Sequence, residues 1–138
     1  MRSARLLLAI FALALGASPA SAGILARVDN ARQTMSVFVD DRLAFTWPVS
    51  TARAGYRTPA GHYRVQRMHR MWHSRTYGMA PMPYSLFFYG GYAIHGTSAV
   101  RQLGRPASHG CVRLAPGHAR TLFSLVERRG GARIRIVN

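Results

Sequence analysis

Hydrophobic and polar residues alternate along several short stretches of this chain, which is the pattern of half-buried β-strands. Residues Ile24–Asp29 and Thr34–Val39 follow the alternation and contain β-branched side chains, so each stretch predicts a strand. Asp40 and Asp41 separate MSVFV from LAFTWPVS, and two polar turn residues between hydrophobic runs predict the tip of a hairpin. The beginning of the domain is therefore expected to be antiparallel β.

The middle of the chain is less regular. Residues 50–61 are rich in Gly, Pro and Arg and predict a loop, whereas residues 62–69 (HYRVQRMH) alternate again and predict a strand. Residues 70–83 show no period and predict an irregular loop. A loop of this length in a compact domain is often a lid or binding loop, although large apolar residues such as Trp72 are more often simple packing. The sequence favours the lid only slightly.

The end of the chain predicts more strands and one helix. Residues 84–89 and 92–95 read as strands on either side of Gly90-Gly91, and a loop follows at residues 95–106. After Pro116, apolar residues recur at helical spacing, with two arginines and Gly130 to end the helix. Residues 132–137 alternate as a last strand. The predicted fold class is a mostly β sandwich or barrel with one main helix near the C-terminus.

The first residues predict an export signal. Arg2 and Arg5 precede ten consecutive apolar residues, LLLAIFALAL, and the small residues of Ala20-Ser21-Ala22 match a cleavage site before Gly23. Ten apolar residues are too few for a membrane span, which needs about 20. We therefore expect a signal peptide at residues 1–22 and one mature domain at residues 23–138, exported to the periplasm or cell wall, with no membrane span.

The composition is strongly basic. The chain has 19 Lys+Arg, all of them arginine, and 4 Asp+Glu, for a net charge of +15. Without Arg2 and Arg5, 17 arginines against the 4 acidic residues leave +13 on residues 23–138. Such a charge attracts polyanions. Because export and the lack of a nucleic-acid-binding motif argue against nucleic acid, an anionic envelope surface fits better as a partner. A genome-wide preference for arginine over lysine would explain the charge without any partner, and the charge alone does not separate the two explanations. The protein is expected to be a monomer.

Cys111 is the only cysteine in the chain. In an oxidising compartment cysteines usually form disulfides, so a single one indicates a reactive thiol. The alternative is an inert, buried cysteine that acts as a small hydrophobic residue. The small and polar neighbours in Ser108-His109-Gly110 weaken that alternative, because they are not typical of a core strand.

A reactive thiol needs a base, and the chain offers six histidines. His118 lies in the predicted helix and His62 in a predicted strand, so a surface or structural role is expected for both. His69 and His73 have the spacing of metal ligands on a helix, but their segment does not predict one and no carboxylate is near. Neither C-x-x-C nor H-E-x-x-H is present, so nucleophilic catalysis is favoured over metal binding.

The two remaining histidines are His95 and His109. His109 is two residues from Cys111, so in an extended segment both side chains lie on one face. His95 ends a predicted strand at the mouth of the loop that returns to Cys111. Gly110 leaves backbone N–H groups free to face a developing oxyanion. A nucleophile on a glycine-containing turn, with a base from a neighbouring strand, is the usual arrangement in nucleophilic catalysis, and it favours His95 over His109 as the base.

These residues resemble a known family. AIHGT followed by a short loop and SHGCVRL is similar to the signature of the L,D-transpeptidase catalytic domain, the YkuD family. VSTARAGYRTPAGHY resembles the "VSTG…TPTG.F" segment of that family, and MPYSLFFYGGYAIHGT resembles its approach strand. The resemblance extends over residues 24–137, which is nearly the whole predicted mature chain.

The resemblance implies cysteine acyl transfer on peptidoglycan stem peptides without a cofactor. Cys111 is then the nucleophile and His95 the base, oriented by a backbone carbonyl near Gly96. The same resemblance implies supporting and substrate-binding residues: Gly96, Ser108, His109 and Gly110 around the oxyanion hole, and Tyr84, Thr97 and Arg113 at the substrate. D-Alanine is released from a tetrapeptide, and a neighbouring amine then forms a 3→3 cross-link. Acylation by carbapenem-type β-lactams is also implied.

Other functions stay open at this point. The acyl-enzyme has water or a lipoprotein lysine as alternative acceptors, which would make the protein an L,D-carboxypeptidase or a lipoprotein-attaching enzyme. A cysteine peptidase of the papain type is disfavoured, because there the cysteine precedes the histidine in the chain. A non-catalytic, arginine-rich envelope-binding module is possible from composition alone, but it would have no need of Cys111, His95 and SHGC together.

Overall fold

The computed structural model of the protein describes residues 22–138. The predicted signal peptide therefore lies outside the described residues, apart from Ala22. The described chain forms nine strands, one helix and a short 3₁₀ turn at Val100–Gln102. The elements are β1 (Ile24–Asp29), β2 (Thr34–Val39), β3 (Arg42–Pro48), β4 (Gly61–Arg64), β5 (Arg67–Ser74), β6 (Ala80–Tyr89), β7 (Tyr92–Gly96), β8 (Val112–Leu114), α1 (Pro116–Arg129) and β9 (Arg133–Val137).

The strands form two sheets that share one core. The first sheet has the order β3-β2-β1-β9-β4 and the second has the order β5-β6-β7-β8. Every second residue of β1 is buried, as alternation requires when one sheet face meets the core. Buried side chains from both sheets and from α1 belong to one cluster, for example Val28, Ile134, Ile94, Val112 and Leu122. The predicted mostly β class with one main helix is confirmed.

Several predicted elements are found at their predicted places. Asp40 and Asp41 both have positive φ, 50° and 63°, as in the tight turns that join antiparallel strands, and β2 pairs with β3 across them. Helix α1 begins at Pro116, whose fixed φ suits a first turn. It ends before Gly130, which has φ 73° and donates its N–H to the carbonyls of Val126 and Glu127.

The prediction of an irregular loop at residues 70–83 is wrong. Residues in this segment belong to a long hairpin in which β5 pairs with β6 around a turn at residues 75–79. Pro81 and Pro83 lie inside β6, where they weakened the strand signal. Because β7 pairs only with the far end of β6, one side of this stretch has no partner strand among the described residues. Proline at alternate positions can place its missing N–H on that open side at no cost in ladder hydrogen bonds.

The strand predicted for residues 62–69 is also divided between two elements. Gly61–Arg64 pairs with β9 at the edge of the first sheet, and Arg67–Ser74 pairs with β6 in the second sheet. The chain therefore changes sheets between Arg64 and Arg67. Alternation continues on both sides of this crossing, so the sequence pattern contained no sign of it.

Within residues 22–138, no helix has the length and the hydrophobicity that are needed to cross a membrane.

Candidate active site

Parallel pairing of β7 with β8 brings two distant parts of the chain onto one face of the second sheet. His95 lies opposite Arg113, and Ile94 lies opposite Val112. Because successive side chains point to opposite faces, the buried Ile94 and Val112 face the core while His95 and Arg113 face outward. Cys111 directly precedes β8 and has the same parity as Arg113. The thiol is therefore on the same face as the imidazole of His95.

A cavity of about 650 Å³ opens on this face. The hairpin β5–β6 forms one wall, with Trp72, Tyr77 and Met82 among its lining residues. Trp72 and Met82 also pack with Phe87, Ala93 and Cys111 in a small apolar cluster, separate from the main core. Four of the residues singled out from the sequence line the cavity together with Cys111: His95, Thr97, His109 and Arg113.

The imidazole of His95 is buried and held by one backbone hydrogen bond. Nδ1 lies 2.7 Å from the carbonyl oxygen of Gly96, which accepts and therefore places the proton on Nδ1. The other ring nitrogen, Nε2, is then the one that can accept a proton. The pKa of His95 is lowered to about 4, mainly by burial and to a smaller extent by the positive charge of Arg113, while the bond to Gly96 opposes the shift. The ring is therefore neutral at neutral pH.

The Cys111 thiol is also protonated at rest. Burial raises its pKa above the ordinary value, although a backbone hydrogen bond from Ala93 and the charge of Arg113 act in the opposite direction. Its sulfur lies 3.8 Å from the carbonyl oxygen of Gly91, a weak contact of the S–H donor. A thiol and a neutral imidazole thus face one cavity. In this arrangement the thiolate forms by proton transfer and does not exist as a standing ion pair.

The turn before Cys111 requires glycine at residue 110. Gly110 has φ +134°, which side-chain-bearing residues rarely adopt. A Cβ at this position would lie 2.6 Å from the ring of Tyr92 and 2.9 Å from the carbonyl oxygen of Arg57. Both the backbone angle and the close packing therefore exclude a larger residue here.

The buried side chain of Ser108 stabilises this turn through two hydrogen bonds. Its hydroxyl donates to the carbonyl oxygen of Cys111 at 2.6 Å and accepts the N–H of Gly110 at 3.0 Å. The Gly110 N–H is therefore already used, which differs from the expectation that it faces an oxyanion. The N–H of Cys111 has no hydrogen-bond partner among the described residues. Of these two N–H groups, only that of Cys111 is free to donate to a new acceptor atom.

Thr58 holds the peptide unit between Gly110 and Cys111, a role that was not predicted from the sequence. Its buried hydroxyl donates to the carbonyl oxygen of Gly110 at 2.8 Å and accepts the N–H of Ala52 at 3.0 Å. In a trans peptide the C=O and N–H bonds point in opposite directions. Anchoring the Gly110 carbonyl thus directs the Cys111 N–H away from Thr58. The only sequence signal was the position of Thr58 in the TPAG part of the family-like segment.

Behind Thr58 lies a buried polar network. The side chain of Gln33 accepts the N–H of Thr51 at 2.8 Å and donates to the Thr51 hydroxyl at 2.5 Å. The carbonyl oxygen of Thr51 accepts the N–H of Ser108 at 3.0 Å. The turn after β1 is therefore connected through the 50–58 segment to the turn that carries Cys111. Fully satisfied buried networks of this kind make a structure rigid.

His109 lies between two tyrosines at the cavity rim. Its ring stacks on that of Tyr77 with centroids 4.2 Å apart and an interplanar angle of 20°, and it contacts Tyr56 at 4.6 Å. Burial and the positive charges of Arg53 and Arg113 lower the pKa of His109. The contact with Tyr77 joins the turn of the β5–β6 hairpin to the turn that carries Cys111.

The charge of the cavity is positive. Arg67, Arg75 and Arg113 line it, and no carboxylate of the described residues does. The guanidinium of Arg113 is half-buried, and its Nη1 lies 3.5 Å from the Oε1 of Gln102. Burial lowers the pKa of Arg113, although it stays positively charged at neutral pH. An anionic ligand fits such a cavity best.

Two of the residues implied as site residues lie on the core side of the sheet. Tyr84 has the parity of Leu86 and packs edge-to-face against Phe123 of α1, with ring centroids 5.6 Å apart, so it does not line the cavity. Gly96 also faces α1, where a Cβ would lie 3.3 Å from that of Ala119. Gly96 contributes to the site through its carbonyl oxygen. No three His, Cys, Asp or Glu side chains in the described part of the chain are grouped as metal ligands would be.

The chain matches the family model of the L,D-transpeptidase catalytic domain over residues 24–136. None of the curated proteins compared with the chain matches it.

Solved structures with the same fold include an L,D-transpeptidase from Stackebrandtia nassauensis (26% identity, TM-score 0.76, 92% of this chain and 61% of that one). Another is an L,D-transpeptidase from Mycobacterium smegmatis (24% identity, TM-score 0.76, 85% of this chain and 59% of that one). A third is L,D-transpeptidase 3 from Mycobacterium tuberculosis, solved with a faropenem-derived adduct (21% identity, TM-score 0.74, 84% of this chain and 60% of that one). The chain thus spans less than two thirds of each of these solved proteins.

Proposed function

Since this chain belongs to the L,D-transpeptidase catalytic domain family, we propose that it transfers peptidoglycan stem peptides through a thioester on Cys111. The acyl donor is a tetrapeptide stem, the leaving group is D-alanine, and the acceptor is the side-chain amine of a neighbouring stem. The product is a 3→3 cross-link. The observation that carries the proposal is the shared cavity of Cys111 and His95, in which the Gly96 carbonyl holds the His95 ring with Nε2 free.

The first half of the reaction forms the thioester. The Cys111 sulfur attacks the carbonyl carbon between the third and fourth stem residues, while Nε2 of His95 takes the thiol proton. The carbonyl oxygen becomes an oxyanion, to which the free N–H of Cys111 donates. The C–N bond then breaks, and His95 gives its proton to the nitrogen of the departing D-alanine. Burial makes the imidazolium unstable, which favours this second proton transfer.

The second half of the reaction transfers the acyl group. The acceptor amine attacks the thioester carbonyl and loses a proton to the neutral His95. The C–S bond breaks, the new amide forms, and the proton returns to the Cys111 sulfur. One histidine thus acts as base and acid in turn, and no cofactor enters any step.

The positive cavity supports an acidic donor. Stem peptides carry carboxylates, and Arg113 lies on the same face as the thiol, where its paired N–H donors can bind one of them. Thr97 and His109 line the same cavity and complete the peptide-binding surface. We place the catalytic domain at residues 23–138, behind a signal peptide at residues 1–22. The site of action is then the periplasm or cell wall.

The proposal is tested with two substrates on the wild type and on Cys111→Ser. Faropenem is expected to add one covalent adduct per wild-type chain, measured by intact-protein mass spectrometry, and none to the serine variant. With disaccharide-tetrapeptides, the wild type is expected to release D-alanine and to form cross-linked dimers, measured by chromatography and mass spectrometry. A serine hydroxyl is a much weaker nucleophile than a thiol at neutral pH, so the variant should form neither product.

The product pattern also identifies the acceptor. Tripeptides without dimers would show that water is the acceptor and that the protein is an L,D-carboxypeptidase. An adduct of equal amount on both proteins would place the nucleophile elsewhere and overturn the proposal. An unchanged circular dichroism spectrum and melting temperature of Cys111→Ser establish that the variant is folded.

A further inference from the structure

The outer face of the first sheet carries a group of basic side chains that the proposed reaction does not use. Arg27 of β1 lies opposite Arg135 of β9. On the other side of β9, Arg135 lies opposite His62 of β4. Arg133 lies opposite Arg64 in the same pairing. Their neighbours Ile134 and Ile136 are buried, so these side chains point away from the core. We refer to Arg27, His62, Arg64, Arg133 and Arg135 as the basic patch.

The charges of the basic patch are poorly neutralised. Arg27 lies 3.9 Å from a carboxylate oxygen of Asp29, which Arg32 approaches as well, at 4.0 Å. The guanidinium groups of Arg64, Arg133 and Arg135 have no ion pair or hydrogen bond with any residue from 22 to 138. Like charges directly opposite each other destabilise a sheet. An external anion would relieve this repulsion.

The patch extends over three neighbouring strands, β1, β9 and β4. Neighbouring strands lie about 4.8 Å apart and alternate residues of a strand about 7 Å apart, so the five side chains form a two-dimensional array. A shallow depression of about 500 Å³ lies among them, lined by residues that include Leu25, His62, Arg64 and Arg133. Among the five patch residues only His62 has a ring on which a base could stack, whereas nucleic-acid surfaces use several aromatic side chains. A two-dimensional array fits a surface better than a single linear polymer.

We propose that the basic patch binds the phosphate groups of an anionic phospholipid surface. Arginine forms paired hydrogen bonds with phosphate oxygens, and each basic residue near an anionic membrane contributes about 1 kcal/mol. Leu25 is the only apolar side chain of the depression that shares this face, so binding is electrostatic and shallow. Salt therefore weakens it, because the screening length falls from about 10 Å at 0.1 M to about 3 Å at 1 M.

The position of the patch leaves the active-site cavity accessible. The patch is on the outer face of one sheet and the cavity on the outer face of the other, with the shared core between them. A protein docked through the patch therefore presents Cys111 to the side away from the lipid. The docking itself requires no catalysis, so it is independent of the proposed function.

Sedimentation with vesicles tests this proposal on residues 23–138, which contain the whole described fold. Vesicles of phosphatidylglycerol and phosphatidylcholine are expected to bind the wild type at about 0.1 M salt, and neither pure phosphatidylcholine nor about 1 M salt should permit binding. The double variant Arg64→Gln/Arg135→Gln should bind about 30-fold more weakly, from about 1 kcal/mol for each arginine.

A matched double variant on helix α1 distinguishes an effect of the basic patch from an effect of net charge. Arg120→Gln/Arg128→Gln removes the same charge from two exposed positions of α1 and should weaken binding less than about threefold. Equal losses in both pairs would show that only the net charge matters and would overturn the proposal. So would a loss of binding by Arg64→Gln/Arg135→Gln that is larger on isolated cell-wall sacculi than on the vesicles. Melting temperatures and faropenem acylation of both pairs establish that the fold and the cavity are intact.

Discussion

His95 and Arg113 lie directly opposite each other in the parallel pairing of β7 with β8. This relationship places Cys111, two residues before Arg113, on the face that also carries the buried imidazole. It also places a positive charge beside both titrating groups, where it lowers the pKa of His95 and that of Cys111. Burial acts on the two groups in opposite directions and dominates both shifts. The resting site therefore holds an uncharged thiol and an uncharged base.

His95 and His109 should differ in their effect on acylation. General-base catalysis contributes typically about 10²–10⁴-fold, so His95→Ala should slow faropenem acylation by at least about 10²-fold. Because loss of the ring admits water to a thiol whose pKa is raised by burial, the variant should also lower the thiol pKa toward its ordinary value. His109→Gln removes only stacking with Tyr56 and Tyr77 and should do less. Stopped-flow acylation and thiol titration measure both effects. A larger loss in a folded His109→Gln variant would reverse the two roles.

The buried imidazole should make stability depend on pH. The pKa of His95 is about 4 in the folded state and 6.5 ordinarily, so the unfolded state binds more protons between these values. The contribution of His95 to the free energy of unfolding is therefore complete above about pH 6.5. It is lost as the pH falls toward 4, and the loss is about 3 kcal/mol. His95→Asn, whose amide can still donate to Gly96, should lack this loss. Urea unfolding of both proteins at about pH 7.5 and pH 4 measures the difference; equal pH dependence would contradict it.

Thr58 should matter for catalysis through the peptide that it holds. Thr58→Val keeps the shape but leaves the Gly110 carbonyl without the hydroxyl donor, so the Cys111 N–H is no longer held toward the substrate. We expect kcat to fall about tenfold or more with little change in KM, since removal of a whole oxyanion donor costs about 10²–10³-fold. Thr58→Ser should restore most of the rate. A loss of melting temperature in Thr58→Val with unchanged kcat would assign Thr58 a purely structural role.

Trp72 should contribute to donor binding. Its ring lines the cavity, contacts Phe87 edge-to-face at 5.5 Å and lies 5.0 Å below the Arg67 guanidinium. An aromatic contact is worth about 0.5–1.5 kcal/mol, so Trp72→Ala should raise the KM for the donor peptide about three- to tenfold. Met71→Ala, an exposed neighbour on the same strand, is the control and should change neither KM nor stability much. A large drop in melting temperature of Trp72→Ala with unchanged KM would favour packing alone.

The sequence by itself determined the local secondary structure and the residues that are available for catalysis. Alternation located β1, β2 and β9, and the helix signals located both ends of α1, because these features depend only on neighbouring residues and on which face meets the core. The motifs AIHGT and SHGCVRL indicated the family, which the match over residues 24–136 establishes. Gly110 and Cys111 are adjacent in sequence, so their turn was visible there as well.

Tertiary structure alone decided how distant segments meet. Parallel pairing of β1 with β9 and of β7 with β8 joins residues far apart in the chain, and such pairings leave no local pattern. The same reason explains the misread hairpin, whose prolines are tolerated only because one side of β6 is open there. Burial set the pKa of His95, and a hydrogen bond from Thr58 took the Gly110 carbonyl. These properties depend on which groups surround an atom in space, which neighbours along the chain do not specify.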